Sequence, residues 1–396
     1  MNKLTLSYFH SSLGFWLTSF LIPLMVLDLT GSALTVSIYY ALNIAPYLLL
    51  TPFSGVLGDW LNRKQVIMWC ELLCSICALC LFIFIGIEQN ITILLLFGFL
   101  ISSLSAFHHP IFQAIIPDLF SKEKIQHINA NIDMIDSLVG IIAPALLGVI
   151  LLSVEKNNLL LFIAFCYLIS FISTRLIIYQ PHLQKTTMSM QGIFTAFYEG
   201  VQYVYQKTEL RNIAILFFFI NIGIRLIFPN LIWIYSYQFN LTEQSTSFLF
   251  ILMGIGAIIG AKIGGIIIGK FTDITIISLA SFTIGLCSLS LIFAPSAVTH
   301  ALFWALSSLV QSVIVVTFFT YRQKVTAPFI LSRVIAVTRL ISYFAIPIAA
   351  LSGGWIIQYF NRTTPIYLAS SLIIFISLAF FLRIHRRDKK PVKTVL

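Results

Sequence analysis

Twelve long runs of apolar residues dominate the chain, and they restrict its fold more than any other feature. A membrane-spanning helix needs roughly 20 predominantly apolar residues, and each run reaches about that length. Charged residues make up only 10% of the 396 residues, whereas soluble domains carry about 25%. The sequence therefore predicts an all-α membrane protein with transmembrane helices at 8–27, 35–57, 65–87, 91–112, 125–152, 158–180, 211–238, 245–268, 275–295, 300–319, 332–358 and 365–385.

The basic residues predict which side of the membrane each loop occupies. With both termini placed inside, most of the 24 Lys and Arg residues fall on the inner side, and only Lys156 and Arg362 lie in loops on the outer side. Cytoplasmic loops are enriched in Lys and Arg. We therefore predict a multi-pass protein of the bacterial inner membrane with cytoplasmic termini. The net charge of +10 is assigned to this topology, and no nucleic-acid partner is predicted.

One interior break, residues 181–210, divides six predicted spans from the other six. Apolar side chains recur in it at spacings of three and four, namely Phe194, Phe197, Tyr198, Val201 and Tyr205. This spacing predicts an amphipathic helix lying along the membrane surface. We expect three regions: an N-terminal six-helix bundle at 1–180, a cytoplasmic linker at 181–210, and a C-terminal six-helix bundle with a basic tail at 211–396. Two such bundles with a site between them at mid-membrane are typical of transporters.

The loop after the second predicted span reads Gly-Val-Leu-Gly-Asp-Trp-Leu-Asn-Arg-Lys at 55–64. It resembles the signature loop between helices 2 and 3 of the major facilitator superfamily, and the matching residues are Gly55, Leu57, Asp59, Arg63 and Lys64. Trp60 stands where a basic residue is usual, and Asn62 stands where a turn glycine is usual. Asparagine, like glycine, tolerates left-handed backbone geometry.

Three further stretches resemble the branch of that superfamily that contains macrolide-efflux proteins and the enterobactin exporter: 29–33 with Ala45 and Pro46, 106–117 with Asn129, Ala143 and Pro144, and 332–334 with Pro347, Gly353 and Gly354. The resemblance covers the whole chain. It implies the major facilitator fold, with twelve transmembrane helices in two pseudo-symmetric six-helix bundles, and export of a drug, siderophore or other small molecule. It also implies gating roles for Gly55, Asp59, Arg63, Lys64, Pro144, Gly148, Arg333 and Arg339. Drug–proton antiporters usually carry an arginine in helix 4, but Ile101 stands at that position.

Ionisable side chains inside the spans are functional candidates, because each costs at least about 2.5–3.5 kcal/mol at a helix centre. Arg225 lies near the middle of the seventh span. A guanidinium there can bind a carboxylate through two parallel hydrogen bonds. We therefore predict a substrate site that favours amphipathic anions such as siderophores, formed by Arg225, Asn221, Tyr39, Tyr40 and Asn43. The alternative for Arg225 is an ion pair with an acid of helix 1 or helix 5.

Three acids within the spans are predicted to couple transport to protons: Asp133, Asp136 and Glu71. Asp133 and Asp136 are three residues apart and share one helix face, so each raises the proton affinity of the other. The alternative is that they pair with Arg339 or Lys262 and only lock an inner gate. For Glu71 the alternative is pairing with the basic residues of the loop. His108 and His109 are interpreted as gate or interface residues near the inner surface.

The sequence contains neither a phosphate-binding loop ending in Gly-Lys-Ser/Thr nor a Ser-His-acid or His-Glu-x-x-His pattern. We therefore expect no enzymatic activity and no cofactor, and we expect energy to come from an ion gradient. The expected partners are a small-molecule substrate, protons and the lipid bilayer, and the expected state is a monomer. Import of a siderophore or similar ligand is the alternative direction. A membrane receptor or a membrane-embedded enzyme is the alternative class.

Overall fold

The computed structural model describes residues 3–60, 62–179, 190–327 and 330–388, with most of their side chains. The described chain is helical almost throughout. Its helices are α1 (Lys3–Thr30), α2 (Ala33–Trp60), α3 (Arg63–Ile87), α4 (Ile91–Leu119), α5 (Lys122–Ile150), α6 (Lys156–Arg175), α7 (Met190–Gln206), α8 (Thr208–Ile227), α9 (Leu231–Trp233), α10 (Glu243–Ile267), α11 (Asp273–Ser290), α12 (Ala297–Val325), α13 (Leu331–Phe360) and α14 (Thr364–Asp388).

Every predicted span overlaps one of these helices, and the seventh overlaps two. Among the described residues, eleven helices are long and apolar enough to cross a membrane, and α5 contains a shorter apolar stretch, Met134–Ile150. The seventh span is Thr208–Gln238, a 31-residue segment that includes α8 and α9. A 3₁₀ turn (Phe228–Asn230) separates these two helices, and a π-helical turn (Ile234–Gln238) follows α9. The predicted all-α membrane fold is therefore confirmed.

The ends of several helices differ from the predicted ends. Helix α4 continues to Leu119 and α12 to Val325, beyond the predicted ends at 112 and 319, whereas α6 ends at Arg175 before the predicted end at 180. Hydropathy reports where side chains meet lipid, but backbone hydrogen bonds continue past that point into polar surroundings. The extra turns of α4 and α12 accordingly carry polar residues such as Gln113 and Arg322.

Asn62 does not use the left-handed geometry that asparagine tolerates. Asn62 has an extended backbone, with φ −66° and ψ 103°, and its side-chain oxygen accepts a hydrogen bond from the backbone N–H of Gln65 at 3.2 Å. The first N–H groups of a helix have no partner within the helix, and an asparagine side chain in this position satisfies one of them. Asn62 therefore serves as the N-cap of α3.

The chain forms two compact units, the first Met1–Thr187 with Leu231–Ile251 and the second Met188–Asn230 with Leu252–Leu396. In the first unit, α1 packs against α5 and α6, α3 packs against α4 and α6, and α2 packs against α4. In the second unit, α8 packs against α13 and α14, and α11 packs against α12 and α14. The division of the chain into bundles at 1–180 and 211–396 stays a prediction.

Helix α7 occupies the predicted amphipathic segment and packs on α13 within the second unit. Its backbone passes close to α13 at Gly200, where an added Cβ would lie 3.0 Å from the carbonyl oxygen of Arg333. The aromatic residues of its other side are exposed: Phe194 by 64%, Tyr198 by 67% and Tyr205 by 68%. One side of α7 therefore contacts protein, while its ring-bearing side is open.

Two glycines let α10 and α12 approach closely in the second unit. A Cβ added at Gly256 would overlap the carbonyl oxygen of Ala305, and one added at Gly260 would overlap that of Leu309. Helices in lipid gain little from hydrophobic association, so close backbone contact at small residues supplies much of their packing energy. These two glycines therefore set the distance between α10 and α12.

We predict that Gly260→Ala destabilises the protein by about 2 kcal/mol, because the added methyl group forces the two helices apart. Gly265→Ala is the matched control on the same helix, since a Cβ there meets nothing within 4 Å. Thermal unfolding of the two detergent-purified variants checks this, with a lower midpoint expected only for Gly260→Ala. Equal midpoints would contradict the close contact between α10 and α12.

Candidate functional site

Arg225 lies near the middle of the span Thr208–Gln238, just before α8 ends. Its side chain is half-buried, and its guanidinium carbon lies 4.9 Å from the centre of the Phe228 ring. A guanidinium over an aromatic face is attracted by the negative charge of the ring face. This contact holds the arginine head group beside an aromatic surface at mid-span.

A break in the helix follows Arg225 directly. Pro229 has no N–H for the helical hydrogen bond, and the buried amide of Asn230 donates to the carbonyl oxygen of Leu226 at 3.1 Å. Helix α13 approaches closely here, because a Cβ added at Gly353 would overlap the same Leu226 oxygen. The break is therefore fixed by tight packing within the second unit.

The other predicted substrate residues divide between the two units. Asn221, one turn before Arg225, donates to the carbonyl oxygen of Phe217 at 2.9 Å. In the first unit, Tyr39 is buried against α4, and its hydroxyl accepts a hydrogen bond from Asn43 at 3.4 Å. Tyr40 is half-buried. Tyr39 thus packs within its unit, and the binding role of this set stays a prediction.

The described contacts of Asp136 are with α1. Its Oδ1 accepts hydrogen bonds from the hydroxyl of Ser12 at 2.9 Å and from the indole N–H of Trp16 at 3.4 Å. Arg339 and Lys262, its predicted alternative partners, are both exposed. The side chain of Asp133 lies outside the described residues, so the predicted carboxylate pair remains a prediction.

Glu71 is buried among polar side chains from three other helices, with 1% of its surface exposed. Its Oε1 accepts hydrogen bonds from the hydroxyls of Ser7 on α1 and Ser170 on α6, and it lies 3.2 Å from Nε2 of His108 on α4. The Ser7 hydroxyl also lies 2.7 Å from that of Thr174. We call these five residues the Glu71 cluster. The predicted alternative for Glu71 is a contact with the basic loop residues. Among the described side chains, Arg63 and Lys64 contact other groups instead.

The basic residues of the signature loop tie α3 to the ends of two neighbouring helices. Arg63 pairs with Asp118 on α4 at 2.9 Å. The ammonium group of Lys64 donates to the carbonyl oxygens of Arg175 and Ile177, at 2.8 and 2.7 Å. All of these contacts lie within the first unit. The side chain of Asp59 and the surroundings of Gly55 lie outside what the structure describes.

The other predicted gating residues lie at helix contacts. Arg333 on α13 pairs with Glu199 on α7, and the guanidinium carbon of Arg339 lies 5.6 Å from the ring centre of Tyr343. Pro144 and Gly148 on α5 are buried, and a Cβ added at Gly148 would lie 3.2 Å from the Cβ of Ser247. Their part in gating stays a prediction.

Sequence reasoning missed a group of charges at the opposite end of the first unit from Arg63. Lys156, at the start of α6, pairs with Asp28 of α1 and with Glu243 of α10. Asp28 and Glu243 also line a cavity of about 430 Å³, together with residues such as Tyr237. In the sequence, each of these charged residues lies within two residues of the end of a predicted span, and that position is the signal that could have identified them. We call Asp28, Lys156 and Glu243 the Lys156 triad.

The triad is one of several polar contacts that hold the segment Leu231–Ile251 in the first unit. The indole N–H of Trp233 donates to the carbonyl oxygen of Gly31 at 3.0 Å. The side-chain amide of Gln244 donates to the carbonyl oxygen of Leu151 at 2.8 Å. The first turn of α10 is therefore fastened to α1, α5 and α6 at this end.

We predict that Lys156→Met loosens the first turn of α10, because Asp28 and Glu243 then face each other without a cation. Two partly exposed ion pairs are worth about 1 kcal/mol together, or about fivefold in an opening equilibrium. Hydrogen exchange of the backbone amides at 243–247 should accelerate by about that factor. The control is Glu155→Gln, which removes an exposed neighbouring charge outside the triad. Equal exchange in both variants would show that the pairs do not hold this turn.

Comparison with known proteins gives one family match over nearly the whole chain. The family described as "Transmembrane secretion effector" matches residues 3–394. Macrolide efflux protein A of Streptococcus pyogenes is 26% identical over 266 residues, which cover 65% of this chain and 64% of that protein. The chain thus spans about 64% of the length of this curated relative.

Solved transporters share the fold at low sequence identity. A bacterial homologue of the human lysosomal transporter Spinster superposes with a TM-score of 0.74 at 12% identity, covering 99% of this chain and 98% of that one. A bacterial homologue of the iron transporter ferroportin gives 0.73 at 18% identity, covering 96% and 97% of the two chains. At these identities the likeness shows the fold alone.

Proposed function

The chain belongs to the major facilitator superfamily, in its transmembrane secretion effector family, and from that membership we propose that it exports a small amphipathic organic compound by proton antiport. Members of this superfamily are membrane transporters and not enzymes. The chain is accordingly a multi-pass membrane transporter. Its proposed location is the bacterial inner membrane with both termini in the cytoplasm, which the distribution of Lys and Arg supports.

The family description and the name of the curated relative favour export over import. In the proposed cycle, the bundles at 1–180 and 211–396 alternate between inward-open and outward-open arrangements around one substrate site. Import of the same ligand is the second candidate direction, because the fold operates in either direction according to the gradients applied.

The observation that carries the substrate class is the half-buried guanidinium of Arg225 at mid-span, beside the Phe228 ring. A fixed cation beside an aromatic face suits a ligand with both an anionic group and an apolar body. We therefore propose an amphipathic anion of the siderophore class. A macrolide is the second candidate substrate, favoured by the name of the relative in Streptococcus pyogenes.

Everted membrane vesicles test direction and coupling together. With an acid interior and a fluorescent pH-gradient probe, addition of a catecholate siderophore should dissipate the gradient only in vesicles that contain the protein. Erythromycin is the parallel probe for the macrolide class. A gradient that neither compound disturbs, in vesicles shown to hold folded protein, would refute antiport of both classes. Uptake only into right-side-out vesicles would instead establish import.

We predict that Arg225→Ala weakens siderophore binding by about 10- to 100-fold, because hydrogen bonds to charged groups contribute about 1.5–3 kcal/mol. Arg225→Lys keeps the charge but loses the planar two-pronged contact, so an intermediate loss is expected. Arg362→Ala removes an exposed cation from the second unit and is the matched control. Titration of the purified variants measures the three affinities. Equal affinities for Arg225→Ala and Arg362→Ala would remove Arg225 from the site.

A further inference from the structure

The Glu71 cluster places an acid deep in the first unit. Glu71 is about 12 Å along α3 from Arg63, at 1.5 Å per residue, and only 1% of its surface is exposed. Its Oε1 receives all three of its polar contacts, from Ser7, Ser170 and His108. Its Oε2 is buried and has no hydrogen-bond partner among the described residues. All polar contacts of this carboxyl group are therefore made by Oε1, whereas the buried Oε2 has no hydrogen-bond partner among the described residues.

The groups that face Glu71 supply one titratable partner. Helices α1 and α6 present hydroxyl groups, which do not titrate, and α4 presents the imidazole of His108. On α3 itself the nearest ionisable neighbours are the thiols of Cys70 and Cys74. The side chain of Asp59, on α2, lies outside the described residues.

The basic residues near this end of the unit are engaged elsewhere. Arg63 pairs with Asp118, and Lys64 donates to backbone carbonyl oxygens at and just after the end of α6. Among the described side chains, the imidazole of His108 is therefore the group that can balance the charge of Glu71.

The charge on this pair depends on a single proton. With one proton, the pair is either carboxylate with imidazolium or carboxyl with neutral imidazole, and its net charge is zero. Without that proton, the pair keeps one negative charge that no described cation balances. A group that exchanges protons must both take up and release one, and this pair can change its net charge by a single proton.

We infer that Glu71 and His108 together bind the proton that this transporter exchanges for its substrate. This inference rests on the proposed antiport, and it selects Glu71 rather than Asp133 or Asp136 among the predicted acids. In the exchange, a proton from water forms an O–H bond on Glu71 or an N–H bond on His108. When the opposite side becomes accessible, that bond breaks and the proton returns to water. Ser7, Ser170 and Thr174 position the carboxyl group and carry no net charge.

Infrared titration of the purified full-length protein tests proton binding without any substrate. We expect the wild type to show a carboxyl C=O band that grows as the pH falls and is absent from Glu71→Gln. In His108→Gln the pH dependence of this band should differ from that of the wild type, because the carboxyl group loses the ring nitrogen that lies 3.2 Å from its Oε1. Glu88→Gln, an exposed acid at the far end of α3, is the control and should match the wild type.

A second variant keeps the test decisive if Glu71→Gln does not fold. Ser170→Ala removes one hydrogen-bond donor from Oε1 and should also change the pH dependence of the band. A purely structural cluster would show no titrating band, or a band that none of these substitutions alters. Either result would overturn the inference.

Transport measurements separate failure of this site from failure of the proposed function. Glu71→Gln should keep substrate exchange between equal pools on the two sides but lose at least 90% of uptake driven by a pH gradient. If the wild type couples to the gradient and Glu71→Gln does so equally, the inference fails and the antiport stands. If the wild type itself shows no coupling with any tested ligand, the antiport fails and the coupling role fails with it.

Discussion

The cost of leaving a polar group without a partner in hydrocarbon controls every level of this structure. Helices satisfy their own backbone groups, which is why the described chain contains so little other secondary structure. The same cost governs the side chains: Thr18, Ser281 and Thr317 each donate to the carbonyl oxygen four residues earlier on their own helix, at 2.6–2.8 Å. A polar group that cannot form a hydrogen bond within its own helix is paired with side chains from other helices, as Glu71 and Lys156 are.

Close backbone packing supplies the rigidity that these polar sites need. Gly353 brings α13 against the carbonyl group of Leu226, one residue from Arg225, so the helix break beside that arginine is held by neighbouring backbone. Gly256 and Gly260 have the same effect between α10 and α12. Because such contacts leave no room for another methyl group, they fix the distances between these helices of the second unit. A charged group can then stay at a fixed depth in the membrane.

The sequence alone predicts the helices well, because hydropathy reports directly on contact with lipid. The signature loop at 55–64 also identifies the superfamily correctly. The sequence does not predict which side chains from different helices contact one another. Glu71 meets residues 37, 64 and 99 positions away in the chain, and no local pattern encodes which turn of α1, α4 or α6 will face it. The backbone of Asn62 depends on a side-chain contact as well: it is extended because its side chain caps the first turn of α3.

The open aromatic side of α7 has a consequence for handling the molecule. Rings as exposed as those of Phe194, Tyr198 and Tyr205 need an amphiphile against them, either the headgroup layer of a leaflet or the rim of a micelle. The same helix is joined to α13 by the Glu199–Arg333 pair, and α13 packs against α8, which carries Arg225. The detergent or lipid that covers these rings therefore contacts a helix that is linked, through α13, to the helix that carries Arg225.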